Sequence, residues 1–378
     1  MTKKKLHILF LNSWYPSKVL PNNGDFIQRH AEAVALKHRV TSIHVITDEN
    51  LTKNNVEESN LNGVKTLIAY LKPYNSKFAK QFYFYKAYKE LIDLTGKYDM
   101  VHVNRLFPVG IIALGLKIFK SKPYIISEHF TGYLIPHVSD LSKIELFLSK
   151  FITKQSNFVC PVSNNLAKNM INIGLDGNYF PIPNVVDTKM FFPQQKNKKP
   201  FTIVHISSLL NSHKNVIGIL NVIKKLEDHI PDFLFYLIGE NANQYKNQIK
   251  TLEINPNNIK LIDQIPHHQV AEYVQNSDVF LLFSNYENLP CVILEAFACG
   301  TKVIATDVGG TNEYFPKDYG FLIPSKNETE LLNSLIKIEG EGQNLLKKEM
   351  HQYAKTNFSK ETICDAFSKL YYKSLNIN

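Results

Sequence analysis

The stretch FSNYENLPCVILEAFACGTKVIATDVGGTNE, residues 283–313, decides the fold. It continues the apolar run VFLLF (279–283), which reads as a buried strand. Pro290 suits a first helical position and Gly300 the position just past a helix C-terminus, so PCVILEAFAC reads as a helix between them. KVIAT (302–306) then reads as the next strand. This strand–helix–strand unit carries two carboxylates, Glu287 in the loop facing the helix start and Glu295 about one and a half turns inside. Burying an unpaired carboxylate costs several kcal/mol, so each needs a partner. From the residues alone, two accounts of the pair stand open. In one, Glu295 pairs with a lysine in the domain interior and Glu287 caps the helix. In the other, both face a ligand, with the backbone N–H groups across 288–291 holding an anion at the helix start.

Working outward, strand-like runs alternate with helix-length segments in both directions. LHILFL (6–11), VTSIHVIT (40–47), MVHVN (100–104), YIIS (124–127) and FVCPVS (158–163) form one series. FTIVHIS (201–207), FLFYLIG (233–239), IKLI (259–262), VFLLF and KVIAT form a second. Such alternation implies parallel sheets flanked by helices. The Pro-, Asn- and Lys-rich stretch 181–200 separates the two series and is the expected hinge. A chain of 378 residues exceeds a single core, and two doubly wound α/β domains follow. The boundaries read as 1–190, 191–358 and a C-terminal helix over 359–378 packing back on the N-terminal domain. Ligands of such sheets bind outside the carboxyl ends of the strands, so a cleft between the domains is the expected site.

Composition narrows the function classes. The formal charge of +9 comes mostly from scattered lysines, which suits an anionic small molecule or surface and does not favour nucleic acid. No segment reaches the ~18–20 apolar residues that span a bilayer. The basic start and short apolar run at the N-terminus lack a cleavage site and read as a first strand, not a signal peptide. Four cysteines without metal or disulfide spacing suggest a reducing, cytoplasmic setting. The chain lacks a phosphate loop, a nucleophile elbow, the H-E-x-x-H motif and a G-x-G-x-x-G after the first strand. It also lacks any Asp-x-Asp pair, and its histidines do not fall at metal-ligand spacing, so neither a metal nor another cofactor is expected.

Residues 283–313, with two glutamates separated by seven residues and followed by GTKVIATDVGGTNE, closely resemble the signature of the retaining glycosyltransferases of family 4. PIPNVVDTKMF (181–191) resembles the family's domain-junction segment, with Val185 where a glycine is usual. VHISSLLNSHKNV (204–216) resembles the loop that supplies a basic pair to the donor diphosphate. Lys214 matches, while Ser207 and Ser208 stand where the family has an arginine. NSWYPSKVLPNNGDFIQRHAEAVA (12–35) resembles the family's first loop and helix, and SEHFTGY (127–133) its strand-end histidine.

The resemblance implies the GT-B fold, two Rossmann-like domains facing a central cleft with C-terminal helices. It implies transfer of a sugar from a nucleotide-sugar donor, a UDP-sugar ahead of a GDP-sugar, to an acceptor hydroxyl of a glycan or lipid-linked acceptor. The implied catalytic residues are Glu287, His129 and Lys214. Donor contacts are implied for Glu295, Ser208, Asn288, Leu289, Pro290 and Gly24. Asp25 reads either as an acceptor or sugar contact or as an exposed helix-start acid, and Glu128 as an acceptor or sugar contact, an acid orienting the His129 ring, or a surface acid. Glu313 is a further acid expected to line the cleft. A nucleotide-sugar epimerase, a phosphorylase and a non-catalytic glycan-binding module are the competing readings. SKFAKQFYFYKAYKELI (76–92) interleaves aromatics with lysines. It fits peripheral contact with the inner face of an anionic membrane, or a half-buried helix with snorkelling lysines.

Overall fold

The computed structural model describes residues 4–134, 137–194, 200–342 and 345–377. The chain forms two compact units, Met1–Val185 with Lys360–Asn378, and Val186–Ser359. Each unit is a doubly wound α/β layer structure.

Unit 1 contains β1 (His7–Asn12), α1 (Asp25–Ala35), β2 (Arg39–Thr47), β3 (Asn55–Leu61), β4 (Val64–Leu71), α2 (Lys77–Thr95), β5 (Met100–Asn104), α3 (Gly110–Lys120), β6 (Tyr124–Glu128), α4 (Lys143–Gln155), β7 (Phe158–Pro161) and α5 (Asn164–Asn172). Its seven-stranded sheet runs β3-β4-β2-β1-β5-β6-β7. All pairings are parallel except β3 with β4. β1 is central, and every one of its residues is buried, as a strand covered on both faces requires. The sequence reading missed β3 and β4. β3, NVEESNL, is exposed at every position, so it carries no apolar signal. The two strands are joined by Asn62-Gly63, both at positive φ (51° and 80°), which is the two-residue turn that Asn-Gly favours.

Unit 2 contains β8 (Phe201–Ser207), α6 (Asn211–Lys214), α7 (Val216–Leu226), β9 (Phe233–Gly239), α8 (Lys246–Thr251), β10 (Ile259–Ile262), α9 (His267–Gln275), β11 (Val279–Leu282), α10 (Cys291–Cys299), β12 (Lys302–Thr306), β13 (Gly320–Ile323), α11 (Glu328–Glu341) and α12 (Lys347–Phe358). The six-stranded sheet is parallel throughout, in the order β10-β9-β8-β11-β12-β13. The four-residue β13 also escaped the sequence reading.

The C-terminal helical segment is broken at Ser359, whose extended backbone (φ −61°, ψ 157°) ends α12, at the boundary read between 358 and 359. The helix that follows, α13 (Lys360–Ser374), belongs to unit 1 and packs on α1. Its Ile363, Phe367, Leu370 and Tyr371 join the core of β1 and α1, each contributing about 1.5–3 kcal/mol of burial before entropy is counted. Of the expected hinge 181–200, residues 195–199 lie outside the described residues. Val185, Val186 and Phe191 are fully buried, and Val186 N–H donates to Phe358 O at 2.8 Å. Among the described residues, no helix is long and apolar enough to cross a membrane.

Candidate active site

In each sheet the strand order reverses once, between β1 and β5 in unit 1 and between β8 and β11 in unit 2. Loops beyond the carboxyl ends of strands at such a reversal form ligand crevices. The sequence-derived candidates fall on these loops and their neighbours.

In unit 2, Lys214 ends the short helix after β8, and Glu287 lies in the loop after β11. Lys214 Nζ donates to Glu287 Oε1 at 2.5 Å, with side chains 18% and 10% exposed. Ser284 Oγ donates to the same oxygen at 2.7 Å. The two loops are strapped by backbone as well. Asn285 N–H donates to His213 O at 2.7 Å, and Asn285 Nδ2 donates to Ser212 O at 3.0 Å. A third loop, after β12, completes the group, with Gly310 N–H donating to Asn288 O at 2.8 Å. Gly309 makes this approach possible. Its φ is +61°, and a Cβ there would lie 1.8 Å from Glu287 O.

Glu295 is 1% exposed inside α10. The cost of burying it is met by His267 Nε2, which donates to Oε1 at 2.9 Å from the first residue of α9. His267 packs against Phe191 with ring centroids 5.0 Å apart. The sequence reading gave His267 no role. Twenty-eight residues separate the partners, so only the fold joins them. Pro290 occupies the cap position, φ −70° and ψ 120°, one residue before the helix, because the backbone there is still extended. Having no N–H, it cannot be among the anion donors expected of 288–291, which leaves those of Asn288, Leu289 and Cys291. Asn288 and Leu289 are buried at 8% and 5%, and each of these three residues already has a partner within the protein.

Where the arginine was missed, Ser207 Oγ is used internally. It meets His205 Nε2 at 2.8 Å and accepts from Leu209 N–H at 3.0 Å. Ser208 is exposed. Leu209 next to it holds a positive φ of 55°, a strain of the kind that collects at functional loops. Glu313 is half-buried in the turn after Gly310.

In unit 1, Gly24 caps α1 at φ 73°, and a Cβ there would lie 2.8 Å from the Trp14 carbonyl carbon, so the first loop closes on itself only around glycine. Asp25 Oδ1 accepts from Phe26 N–H at 2.8 Å, and Oδ2 meets the Arg29 guanidinium at 3.2 Å, with the side chain 43% exposed. Glu128 is fully buried. Its carboxylate accepts from the N–H groups of Leu106 (2.7 Å), His129 (2.8 Å) and Phe130 (2.8 Å). It therefore ties the loop after β5 to the loop after β6, which corrects the expectation of an acceptor-facing acid: no oxygen is left facing solvent. Burial pushes its pKa up, and the three N–H donors pull it back. His129 is 9% exposed and packs at a tilt against Phe26 and His30, with ring centroids 4.5 and 5.4 Å away. Burial, then the neighbouring His30 and His102, hold its pKa well below the usual histidine range, so the ring is neutral at pH 7. Arg105, which sequence reading passed over, is held between Trp14 (4.3 Å) and Phe130 (4.4 Å) with its backbone at φ 66°.

α2 carries the aromatic–lysine stretch. Its C-terminal half buries Tyr88, Leu91 and Ile92, whereas Phe78 and Phe82 near its start are 89% and 64% exposed.

Comparisons with known proteins bear on the family and the fold. The family model for group 1 glycosyl transferases matches residues 186–357, and that for glycosyltransferase family 4 matches residues 29–190. An uncharacterized glycosyltransferase of Methanocaldococcus jannaschii is 26% identical over 324 residues, 85% of this chain and 86% of that protein. Other related proteins are spanned over 54% to 62% of their length. Among solved structures, sucrose-phosphate synthase from Thermosynechococcus elongatus superposes with a TM-score of 0.78 at 18% identity, covering 99% of this chain and 100% of that one. HepE of Anabaena in complex with UDP-glucose superposes with a TM-score of 0.74 at 16% identity, covering 97% and 100%. With its two Rossmann-like units of GT-B type matched by both models, this chain belongs to glycosyltransferase family 4.

Proposed function

We propose that this glycosyltransferase moves a sugar from a nucleoside-diphosphate sugar, UDP ahead of GDP, to an acceptor hydroxyl in glycan or polysaccharide biosynthesis, with retention of anomeric configuration and without a metal. The observation that carries this reading is the Lys214–Glu287 contact at the strand-order reversal of unit 2. In a donor complex the diphosphate draws Lys214 away from the carboxylate. That frees Glu287 to accept from hydroxyls of the sugar, while Ser284 keeps it oriented. Glu295, fixed by His267, accepts from the vicinal hydroxyls of the ribose. Negative charge builds on the leaving diphosphate, and Lys214 with the amides at the start of α10 stabilises it. His129, as a neutral ring, belongs to the same proposal as a sugar contact. The HepE complex with UDP-glucose supports a uridine donor.

Thermal shift against a panel of nucleotide sugars, followed by nucleotide release, tests the reading, because a ligand of the native state raises the midpoint. Stabilisation by a nucleotide sugar with turnover supports transfer. Stabilisation without turnover in the presence of acceptors supports the non-catalytic module instead. That alternative draws on the missing arginine and on Lys214 being already neutralised.

A further inference from the structure

Unit 1 contains a cavity of about 360 Å³ at the carboxyl ends of β1, β2 and β4, roofed by the first half of α2. Leu20, Ile46, Leu71 and Phe84 make its walls apolar, and Lys80 lies at its edge. Its volume falls in the range of small-molecule sites.

His44 also lines it and is 2% exposed. The ring Nδ1 lies 3.1 Å from Asn12 O, and since a carbonyl only accepts, Nδ1 carries the proton. Burial pushes the pKa down to about 4, so at neutral pH Nε2 keeps a lone pair. That Nε2 is buried and meets no partner. A buried acceptor left unmet is unfavourable, so the fold retains it against a penalty that a hydroxyl donor would remove. Lys80 is exposed and has no acid within ion-pair distance among the described residues.

We infer that this cavity is the subsite for an amphiphilic acceptor, an alkyl-chain glycoside or glycolipid. The start of its apolar chain lies against Leu20, Ile46, Leu71 and Phe84, and a hydroxyl donates to His44 Nε2. A negative group on the acceptor, where there is one, meets Lys80. The assignment rests on the transferase reading above, since it names the acceptor of that reaction.

Calorimetry with octyl β-D-glucoside, kept below its micelle concentration, tests it against glucose and octanol. Octyl glucoside is expected to bind at least tenfold more tightly than either fragment. Thr47→Phe fills the cavity from its half-buried rim, and His44→Phe removes the acceptor. Each is expected to weaken binding at least tenfold. Thermal unfolding checks that both variants are folded, and if His44→Phe does not fold, Thr47→Phe alone decides. Octyl glucoside binding no better than glucose, or binding unchanged in folded Thr47→Phe, overturns the inference. Nucleotide release from donor by the unmodified protein is measured in parallel. Donor turnover without amphiphile binding defeats the subsite and spares the transferase. Variant-sensitive amphiphile binding without turnover of any nucleotide sugar does the reverse.

Discussion

Glu287→Gln separates two roles that the Lys214–Glu287 contact combines. The amide has the shape of the carboxylate and still accepts from Ser284, but the charge opposite Lys214 is gone. The stability cost follows from exposure. Fully exposed pairs are worth about 0–1 kcal/mol, whereas hydrogen bonds to charged groups reach about 1.5–3 kcal/mol. With side chains 18% and 10% exposed, this pair lies between, at about 1–2 kcal/mol. For a unit of this size each kcal/mol lowers the unfolding midpoint by about 2–4 °C, so a drop of about 2–8 °C is expected. Nucleotide binding should move the other way. In the unmodified protein a diphosphate must compete with a carboxylate 2.5 Å from Lys214, and in the variant that competitor is gone. The Kd for UDP is therefore expected to stay level or fall by up to about tenfold, ~1.4 kcal/mol. Transfer should fall by at least about 100-fold, ~2.7 kcal/mol, because the sugar loses its charged hydrogen-bond acceptor. Calorimetry with UDP and nucleotide release from donor read the two quantities separately. UDP binding weakened tenfold while turnover survives would mean that Glu287 neither competes for Lys214 nor holds the sugar.

Gly309→Ala should abolish turnover with unit 2 still folded, since the new methyl displaces Glu287 O, whereas Gly340→Ala, open on every side within α11, should leave activity intact and add about 0.5–1 kcal/mol of stability. Turnover should persist in EDTA, because Lys214 and helix amides carry the leaving-group charge; complete loss restored by Mn²⁺ counts against this. Acid should unfold unit 1 before unit 2. His30 and His44 are pushed down to about 4 by burial, and His102 and His129 lie well below the ordinary 6.5, all in unit 1, against His205 alone in unit 2 among such nearly fully buried rings of the described residues. The folded state binds fewer protons than the unfolded one, so the stability these rings confer is complete above pH 6.5 and is lost as pH falls from about 6.5 towards 4. Fluorescence of Trp14, the single tryptophan and in unit 1, should change at a higher pH than the remaining far-ultraviolet circular dichroism; coincident transitions contradict this.

The parallel core was legible because buried parallel strands are apolar at nearly every position, as HILFLN and VFLL are. β3 was not, because an exposed antiparallel edge strand buries nothing and leaves only its Asn-Gly turn as a sign. At the site, residue types were readable and partnerships were not. Lys214 and Glu287 lie 73 positions apart and His267 and Glu295 lie 28 apart, so sheet topology makes both pairs. Glu128 looked like a substrate-facing acid because the sequence cannot show that three backbone N–H groups converge on it.

The most direct measurement is nucleotide release from a panel of UDP- and GDP-sugars by the unmodified protein and by Lys214→Ala. At least one UDP-sugar should be turned over, and the variant should be slower by at least tenfold, ~1.4 kcal/mol. No release from any nucleotide sugar, or equal rates for the two proteins, would contradict a donor site built on Lys214 and Glu287.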